Sequence, residues 1–125
     1  MKLERTDGGV RASVSAYREG AVTVDGKVLT RSFLLSTDRL LQDWRPTAAA
    51  ELAASDFEEL AALHPQVVIV GTGRRREQPP AHCLEPLIRA KIGFETMDTG
   101  AACRTYGVVA AEGRRVVLAV LMPRG

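Results

Sequence analysis

Apolar and polar positions alternate along the first third of the chain. Every second residue of 11–17 is apolar, which is the period of a half-buried β-strand. Residues 21–24 and 27–30 form two apolar-rich runs on either side of Asp25-Gly26, a strong hairpin signal. Residues 32–36 form a further short apolar run. This pattern predicts an antiparallel meander.

The pattern changes to a helical period in the middle of the chain. Residues 47–63 are rich in alanine and predict a helix, in which Ser55 and Glu58 have the spacing of a capping box. Pro65 ends that helix. Residues 67–70, Val-Val-Ile-Val, form a continuous β-branched run, which is typical of a strand covered on both faces.

The second half predicts strand, helix, strand, helix and strand. The helix over 81–91 ends at Gly93, and its residues spaced for burial are Cys83, Leu84, Leu87 and Ile88. The strand over 94–97 follows. Asp98 is then the N-cap of a helix over 99–112. The last strand covers 115–121. With an antiparallel front, this order predicts an α/β protein in which helices pack on a mixed central sheet.

Length and composition indicate one domain. The chain has 125 residues, of which 46% are hydrophobic and 26% charged, the balance of a soluble globular protein with a complete core. We expect a single α/β domain over 11–125 and a disordered N-terminus over 1–10, because those first residues are mostly polar. A chain of this size needs no metal or disulfide to fold.

Charge and cysteine content limit the partners and the compartment. The net charge is only +2, whereas a dedicated nucleic-acid binder usually carries a larger and clustered excess, so we expect no nucleic acid. We also expect no membrane insertion, since no apolar run approaches the roughly 18 residues of a span. Two cysteines do not make a disulfide framework, and the start lacks the apolar core of a secretory signal. These features predict a cytoplasmic protein.

The turn Gly71-Thr72-Gly73 follows the buried strand and precedes three arginines. Ligand crevices in α/β sheets form at such carboxyl ends, and glycines leave backbone N–H groups accessible. If the strands ending at Val70 and Met97 are parallel neighbours, the turn and the start of the last helix form two walls of one crevice. The hypothetical anion site consists of Gly71, Thr72, Gly73, Arg74, Asp98, Thr99 and Arg104.

Two other interpretations of this turn stay open. The plainer one is a tight turn followed by a solvated basic loop, since both the P-loop lysine and the third glycine of the dinucleotide fingerprint are missing. Asp98 itself satisfies N–H groups that an anion would use. Nucleic acid is the weakest interpretation, because no aromatic residues interleave the arginines.

The remaining candidates for chemistry are weaker. Adjacent helical residues point about 100° apart, so His82 and Cys83 do not form a nucleophile and base. The two histidines and two cysteines have no metal-ligand spacing. We therefore expect no catalytic residue, no metal and no cofactor.

The last helix has two distinct faces. Ala102, Tyr106 and Val109 share one face. The other is made of small residues, including Gly100, Cys103 and Gly107, which allow another backbone to approach closely. That backbone belongs either to the sheet or to a second subunit, so a homo-oligomer is one of the expectations.

A family resemblance extends over about residues 11–122. It rests on the sequence of the last helix, MDTGAACRTYGVVAAEGRRV, on the Gly-Thr-Gly turn and on Ser32-Phe33 after a hairpin. It resembles a family of small α/β domains that includes mitochondrial respiratory complex I assembly factors, adipogenesis-associated domain proteins and many uncharacterised bacterial proteins. This chain has Gly107 where asparagine is common in the family.

The resemblance implies a three-layer α/β fold with a central mixed sheet. It implies no established enzyme activity, no known cofactor and action through a protein partner. We therefore expect a non-catalytic interaction or assembly factor. The alternative is a small-anion or polar-ligand binding protein, or an unrecognised enzyme, that uses the Gly71–Gly73 turn and the helix start at Asp98.

Overall fold

The computed structural model describes residues 3–5 and 13–123. Within these residues there are nine strands, three α-helices and two 3-10 helices, Ala49–Glu51 and Ala81–Leu84. The strands are β1 (Leu3–Arg5), β2 (Val14–Arg18), β3 (Ala21–Val24), β4 (Lys27–Leu29), β5 (Phe33–Leu35), β6 (Arg39–Gln42), β7 (Val67–Gly71), β8 (Gly93–Met97) and β9 (Val116–Val120). The α-helices are α1 (Ala54–Ala61), α2 (Glu85–Arg89) and α3 (Thr99–Ala111).

The strands form two sheets. The larger sheet has six strands in the order β1-β6-β5-β9-β7-β8, and the smaller one has the order β2-β3-β4. Strand β7 pairs in parallel with both β8 and β9, while the pairs of β5 with β6 and β9 are antiparallel. The predicted α/β class, the mixed central sheet and the N-terminal antiparallel meander are confirmed.

Both faces of the six-stranded sheet are buried, which makes three layers. One face packs against α3 and the small sheet, so that Ile69 and Leu118 lie in one core with Tyr106 of α3 and Val22 of β3. The other face packs against α1, α2 and the preceding 3-10 turn. This two-sided burial explains why β7 and β9 are apolar at every position.

Strand β6 was not predicted from the sequence. Its only apolar residues are Leu40 and Leu41, which is too short a run to show a period. The two side chains enter different cores on opposite faces of the sheet, where each is about 95% buried or more. Pairing with β1 and β5, not local sequence, therefore makes this segment a strand.

The helix predicted over 47–63 is wrong in extent. The chain forms the first 3-10 turn, becomes extended at Ala53, with φ of −125°, and only then enters α1. The predicted capping by Ser55 is also wrong, because the buried carboxylate of Asp56 accepts the Ala53 N–H at 2.9 Å. Arg45 binds the same carboxylate and the Glu51 carbonyl, which holds the interrupted conformation.

The helix predicted over 81–91 is split as well. Only the five residues of α2 are α-helical, and they follow the second 3-10 turn directly. Cys83 and Leu87 are buried as predicted, but Ile88 is 69% exposed. Lys91, with φ of +59°, reverses the chain, and Gly93 begins β8 instead of ending the helix.

Strand β1 lies within the ten residues that the sequence predicts to be disordered. It pairs with β6 through Leu3 and Leu41. Residues 1–2 and 6–12 are outside the described part of the chain, so the predicted domain boundary at residue 11 stays a prediction. Among the described residues, none of the helices is both long and apolar enough to cross a bilayer.

Candidate functional site

The strands that carry the glycine turn and the start of α3 are neighbours. Strands β7 and β8 run in parallel, and Gly71 at the end of one lies opposite Met97 at the end of the other. Their carboxyl ends therefore meet at one edge of the sheet, as the crevice hypothesis requires. That premise is confirmed.

The turn and the helix start close on each other directly. The Gly73 N–H donates to Thr99 Oγ1 at 2.8 Å, and the Thr99 N–H donates to the Gly73 carbonyl at 2.8 Å. The Thr72 N–H donates to the Met97 carbonyl at 2.9 Å. We call this set of three hydrogen bonds the turn–helix junction. Two of the N–H groups assigned to an anion are thus bonded within the protein.

Packing at the turn–helix junction leaves no room at Gly71. A Cβ atom on this glycine would lie 3.2 Å from the Cα atom of Thr99 and 3.2 Å from the Cβ atom of Ala102. The residue is glycine because α3 rests on its backbone.

The N-terminus of α3 is capped by its own aspartate, as predicted. Asp98 Oδ1 accepts the Ala101 N–H at 2.9 Å, and the Asp98 carbonyl accepts the Ala102 N–H at 2.9 Å. The carboxylate also places a negative charge where an anion would bind. An anion at this helix terminus would have to compete with Asp98 for these donors.

The three arginines after the turn have different surroundings. Arg74 Nε lies 3.6 Å from Glu19 Oε1 in an exposed pair, a kind of pair that contributes little to stability. Arg76 Nε donates to the Thr96 carbonyl at 3.0 Å, which attaches the loop to β8. Among the described residues, the Arg75 guanidinium has no hydrogen-bond or ion-pair partner.

The predicted site residues are divided between two cavities. Thr72, Gly73 and Arg74 line an open cleft of about 540 Å³, on the side of the turn where β9 ends. Arg104 lines a different groove of about 380 Å³ between β2 and α3. We call the first the turn cleft and the second the helix groove. Neither has Asp98 or Thr99 in its lining, so neither of these two cavities brings the seven residues together.

Sequence reasoning missed several residues of the turn cleft. Thr47 and Ala48 come from the segment before the first 3-10 turn, and Leu121 and Pro123 follow β9. These segments lie far apart in sequence and carry no ligand-binding motif. The pairing of β7 with β9 brings Leu121 and Pro123 beside the turn, where the Leu121 N–H donates to the Gly71 carbonyl at 2.9 Å.

The small residues of α3, Gly100, Cys103 and Gly107, all line the helix groove, but their surroundings differ. Gly100 is buried, and a Cβ there would approach the Tyr17 ring of β2 to 3.3 Å, so the neighbour is a side chain and not the backbone that the sequence predicts. Gly107 is exposed, with no atom within 4 Å of a Cβ placed on it. On the opposite face, Ala102 and Tyr106 enter the core as predicted.

Neither cysteine is an activated nucleophile. Burial raises the pKa of the Cys103 thiol to about 11, although the nearby Arg104 charge opposes the change. Burial also raises the pKa of Cys83, whose thiol donates to the Pro80 carbonyl at 2.8 Å. Within the described residues, no three histidine, cysteine or acidic side chains cluster as metal ligands would.

Comparison with known proteins assigns the fold to a family. The family model described as "Protein of unknown function (DUF498/DUF598)" matches residues 14–121. The chain belongs to this family. The resemblance inferred from the last helix is therefore confirmed.

Solved structures and a curated relative support the assignment. A crystal structure of a Bordetella parapertussis protein is 35% identical, with a TM-score of 0.85, and covers 91% of this chain and 98% of that one. An NMR structure of a Xanthomonas campestris protein is 32% identical, with a TM-score of 0.83, covering 94% and 89%.

The curated relative is the Bos taurus protein named NADH dehydrogenase (ubiquinone) 1 alpha subcomplex assembly factor 3. It is 27% identical over 114 residues, which are 90% of this chain and 61% of the bovine protein. The chain therefore spans less than two thirds of that relative's length.

Replacing Thr99 with valine will open the turn–helix junction. Thr99→Val keeps the side-chain shape but removes the acceptor of the Gly73 N–H, so we expect the free energy of unfolding to fall by about 1 kcal/mol. Amide exchange at Gly73 will accelerate. Hydrogen exchange by NMR and urea unfolding measure both effects. Thr99→Ser keeps the hydroxyl and serves as the control; equally fast exchange at Gly73 in both variants would contradict the role of this hydrogen bond.

Alanine at two glycines will have opposite effects. Gly71→Ala forces its new methyl group against the Thr99 backbone, and we expect it to destabilise the protein by about 1–3 kcal/mol. Gly107→Ala fills open space on a helix, and we expect it to stabilise the protein by about 0.5–1 kcal/mol. Thermal unfolding of the two variants and the unsubstituted protein measures both changes in stability. A gain in stability from Gly71→Ala would show that α3 does not rest on the turn.

Cys103 will react slowly while the protein is folded. With a pKa of about 11 instead of 9.0, its thiolate fraction at pH 8 is about a hundredfold smaller, and burial restricts access further. Because the folded state holds this proton more tightly, its contribution to stability falls as the pH rises from about 9 to about 11. Alkylation by iodoacetamide, followed for the Cys103 peptide by mass spectrometry, will speed up on unfolding in urea. Equal rates in folded and unfolded protein would refute the buried, protonated thiol.

Proposed function

We propose that this protein is a non-catalytic interaction factor that acts with a protein partner in the assembly of a membrane-bound respiratory complex. The observation that carries the proposal is the relationship to the bovine protein named as a complex I assembly factor, which extends over 90% of this chain. The match covers 114 residues of this chain, so most of the domain is shared. A cytoplasmic location is part of the same proposal.

The hydrogen bonds of the Gly71-Thr72-Gly73 turn support a structural role. The N–H groups of Thr72 and Gly73 are bonded inside the turn–helix junction, and the Asp98 carboxylate caps α3. The cysteine thiols are buried and have raised pKa values. These groups stabilise the fold, so we assign the interaction with a partner to the exposed surface.

Three large aliphatic side chains of the described residues are exposed, Val28, Ile88 and Val108, and the two on helices are the candidates for contact with a partner. Val108 on α3 is 62% exposed and Ile88 on α2 is 69% exposed. They belong to helices on opposite faces of the six-stranded sheet, so one flat interface would include one of them and not both. Single exposed aliphatic residues are common on protein surfaces, so exposure does not by itself identify an interface. Loss of partner binding on substitution does.

A second candidate function is binding of a small anion, with or without catalysis. One observation favours it: the turn cleft contains Arg75, whose guanidinium has no partner among the described residues.

The formation of a homo-oligomer also stays a prediction. Light scattering measures the molar mass in solution and so tests it.

Affinity purification at native expression tests the assembly role. We expect subunits or assembly factors of a respiratory complex to co-elute, and deletion of the gene to lower the amount of the assembled complex on native gels. Val108→Asp and Ile88→Asp, compared with Val108→Ala and Ile88→Ala, will identify the contact face, because one charged variant will lose the partner while remaining folded. Purification without any partner, together with an unchanged amount of the complex in the deletion strain, would contradict the proposal.

A further inference from the structure

The turn cleft has the dimensions of a small-molecule site. Its volume of about 540 Å³ falls within the usual range of ligand pockets, although it is open on one side. It lies at the carboxyl ends of β7 and β9, two parallel strands in the middle of the sheet. Parallel sheets commonly bind ligands at this edge.

The basic side of the turn cleft has donors that the protein does not use. The N–H groups of Arg74 and Arg75 donate no hydrogen bond within the described residues, and the Arg75 guanidinium is also without a partner. By contrast, the N–H groups of Thr72 and Gly73 are occupied on the other side of the turn. The donors available to a ligand therefore belong to Arg74 and Arg75.

The loop that carries these donors is held in place by the protein. The Glu77 N–H donates to Thr72 Oγ1 at 3.0 Å, and the Thr72 hydroxyl contacts the Arg75 carbonyl. Arg76 is bonded to β8. Since the loop is attached on both sides of Arg75, binding an anion there costs little ordering of the backbone.

The opposite side of the turn cleft is apolar. Leu121 is 3% exposed, and Ala48 and Pro123 extend this wall outward. Glu77 is the acidic residue of the lining, and its carboxylate has no partner among the described residues. Because Arg74 is already paired with Glu19 at 3.6 Å, Arg75 is the lining cation whose charge is available to an anion.

We infer that the turn cleft binds an organic anion, in which one carboxylate or phosphate group contacts Arg75 and the backbone of residues 74–75 and a short apolar body lies on Leu121 and Pro123. This site is on the opposite side of the turn from the crevice at Asp98. The inference rests on the second candidate function, small-anion binding, and names the ligand class for it; it is independent of the assembly role, because the site involves no partner protein.

NMR titration of the full chain tests the site. Inorganic phosphate and butyrate are added separately at constant ionic strength, with chloride as the balancing anion, and amide shifts are followed. We expect saturable shifts at Gly73–Arg75 at millimolar concentrations, with Ala48 and Leu121 responding to butyrate in addition. Binding of phosphate alone assigns the group as a phosphate, and binding of butyrate alone assigns it as a carboxylate; either supports the site.

Three variants make the result specific. Arg75→Ala will weaken binding about tenfold or more, since it removes a charge-assisted contact. Glu77→Gln will tighten binding, because it removes the repelling carboxylate and leaves the Glu77 N–H contact intact. Arg114→Ala removes the same charge just before β9 starts, at the other end of that strand, and will leave binding unchanged.

Three outcomes overturn the inference. The first is the absence of a saturable shift with either anion. The second is a set of shifts centred on Gly100 and Arg104, which would indicate the helix groove. The third is an equal loss of affinity in Arg75→Ala and Arg114→Ala, which would indicate attraction to net charge only. None of these results affects the partner experiment.

Discussion

The reciprocal hydrogen bonds between Gly73 and Thr99 are the constraint on which the rest of this edge of the molecule depends. Each residue donates its N–H to the other, at 2.8 Å in both directions, so the end of β7 and the start of α3 are held together. Gly71 permits this contact because it has no side chain. The helix is thereby fixed over the parallel strands, where Ala102 and Tyr106 complete one of the two cores.

The hydrogen bonds of the turn–helix junction determine which donors of the basic loop are available to a ligand. The N–H groups of Thr72 and Gly73 donate to Met97 and Thr99, whereas those of Arg74 and Arg75, which line the turn cleft, donate no hydrogen bond within the described residues. The three consecutive arginines then diverge: Arg74 approaches Glu19, Arg76 binds β8, and Arg75 is left for the turn cleft. A run of like charges in sequence thus becomes three separate environments.

Polar side chains elsewhere in the domain also join separate segments of the chain. Polar groups close to the sheet are mostly used to join segments, as Asp56 joins Arg45 to the start of α1 and Ser32 joins Met122 to the strand edge. A buried polar group without a partner is costly, so such pairings stabilise the interrupted helices and short strands. A domain organised in this way is suited to present a rigid surface, in agreement with an assembly role.

The sequence by itself determined the elements whose signals are local. The Asp25-Gly26 hairpin, the β-branched run of β7 and the Asp98 cap of α3 each depend on residues within a few positions of one another, and the family resemblance follows from the contiguous α3 motif. Only the tertiary structure decided what depends on distant segments. It made Leu40 and Leu41 a strand, placed Leu121 beside Gly71, and bonded the Thr72 and Gly73 N–H groups within the protein, next to the turn cleft at the end of β9. The physical reason is that a hydrogen-bond donor is available to a ligand only if no neighbour has taken it, and those neighbours come from remote parts of the chain.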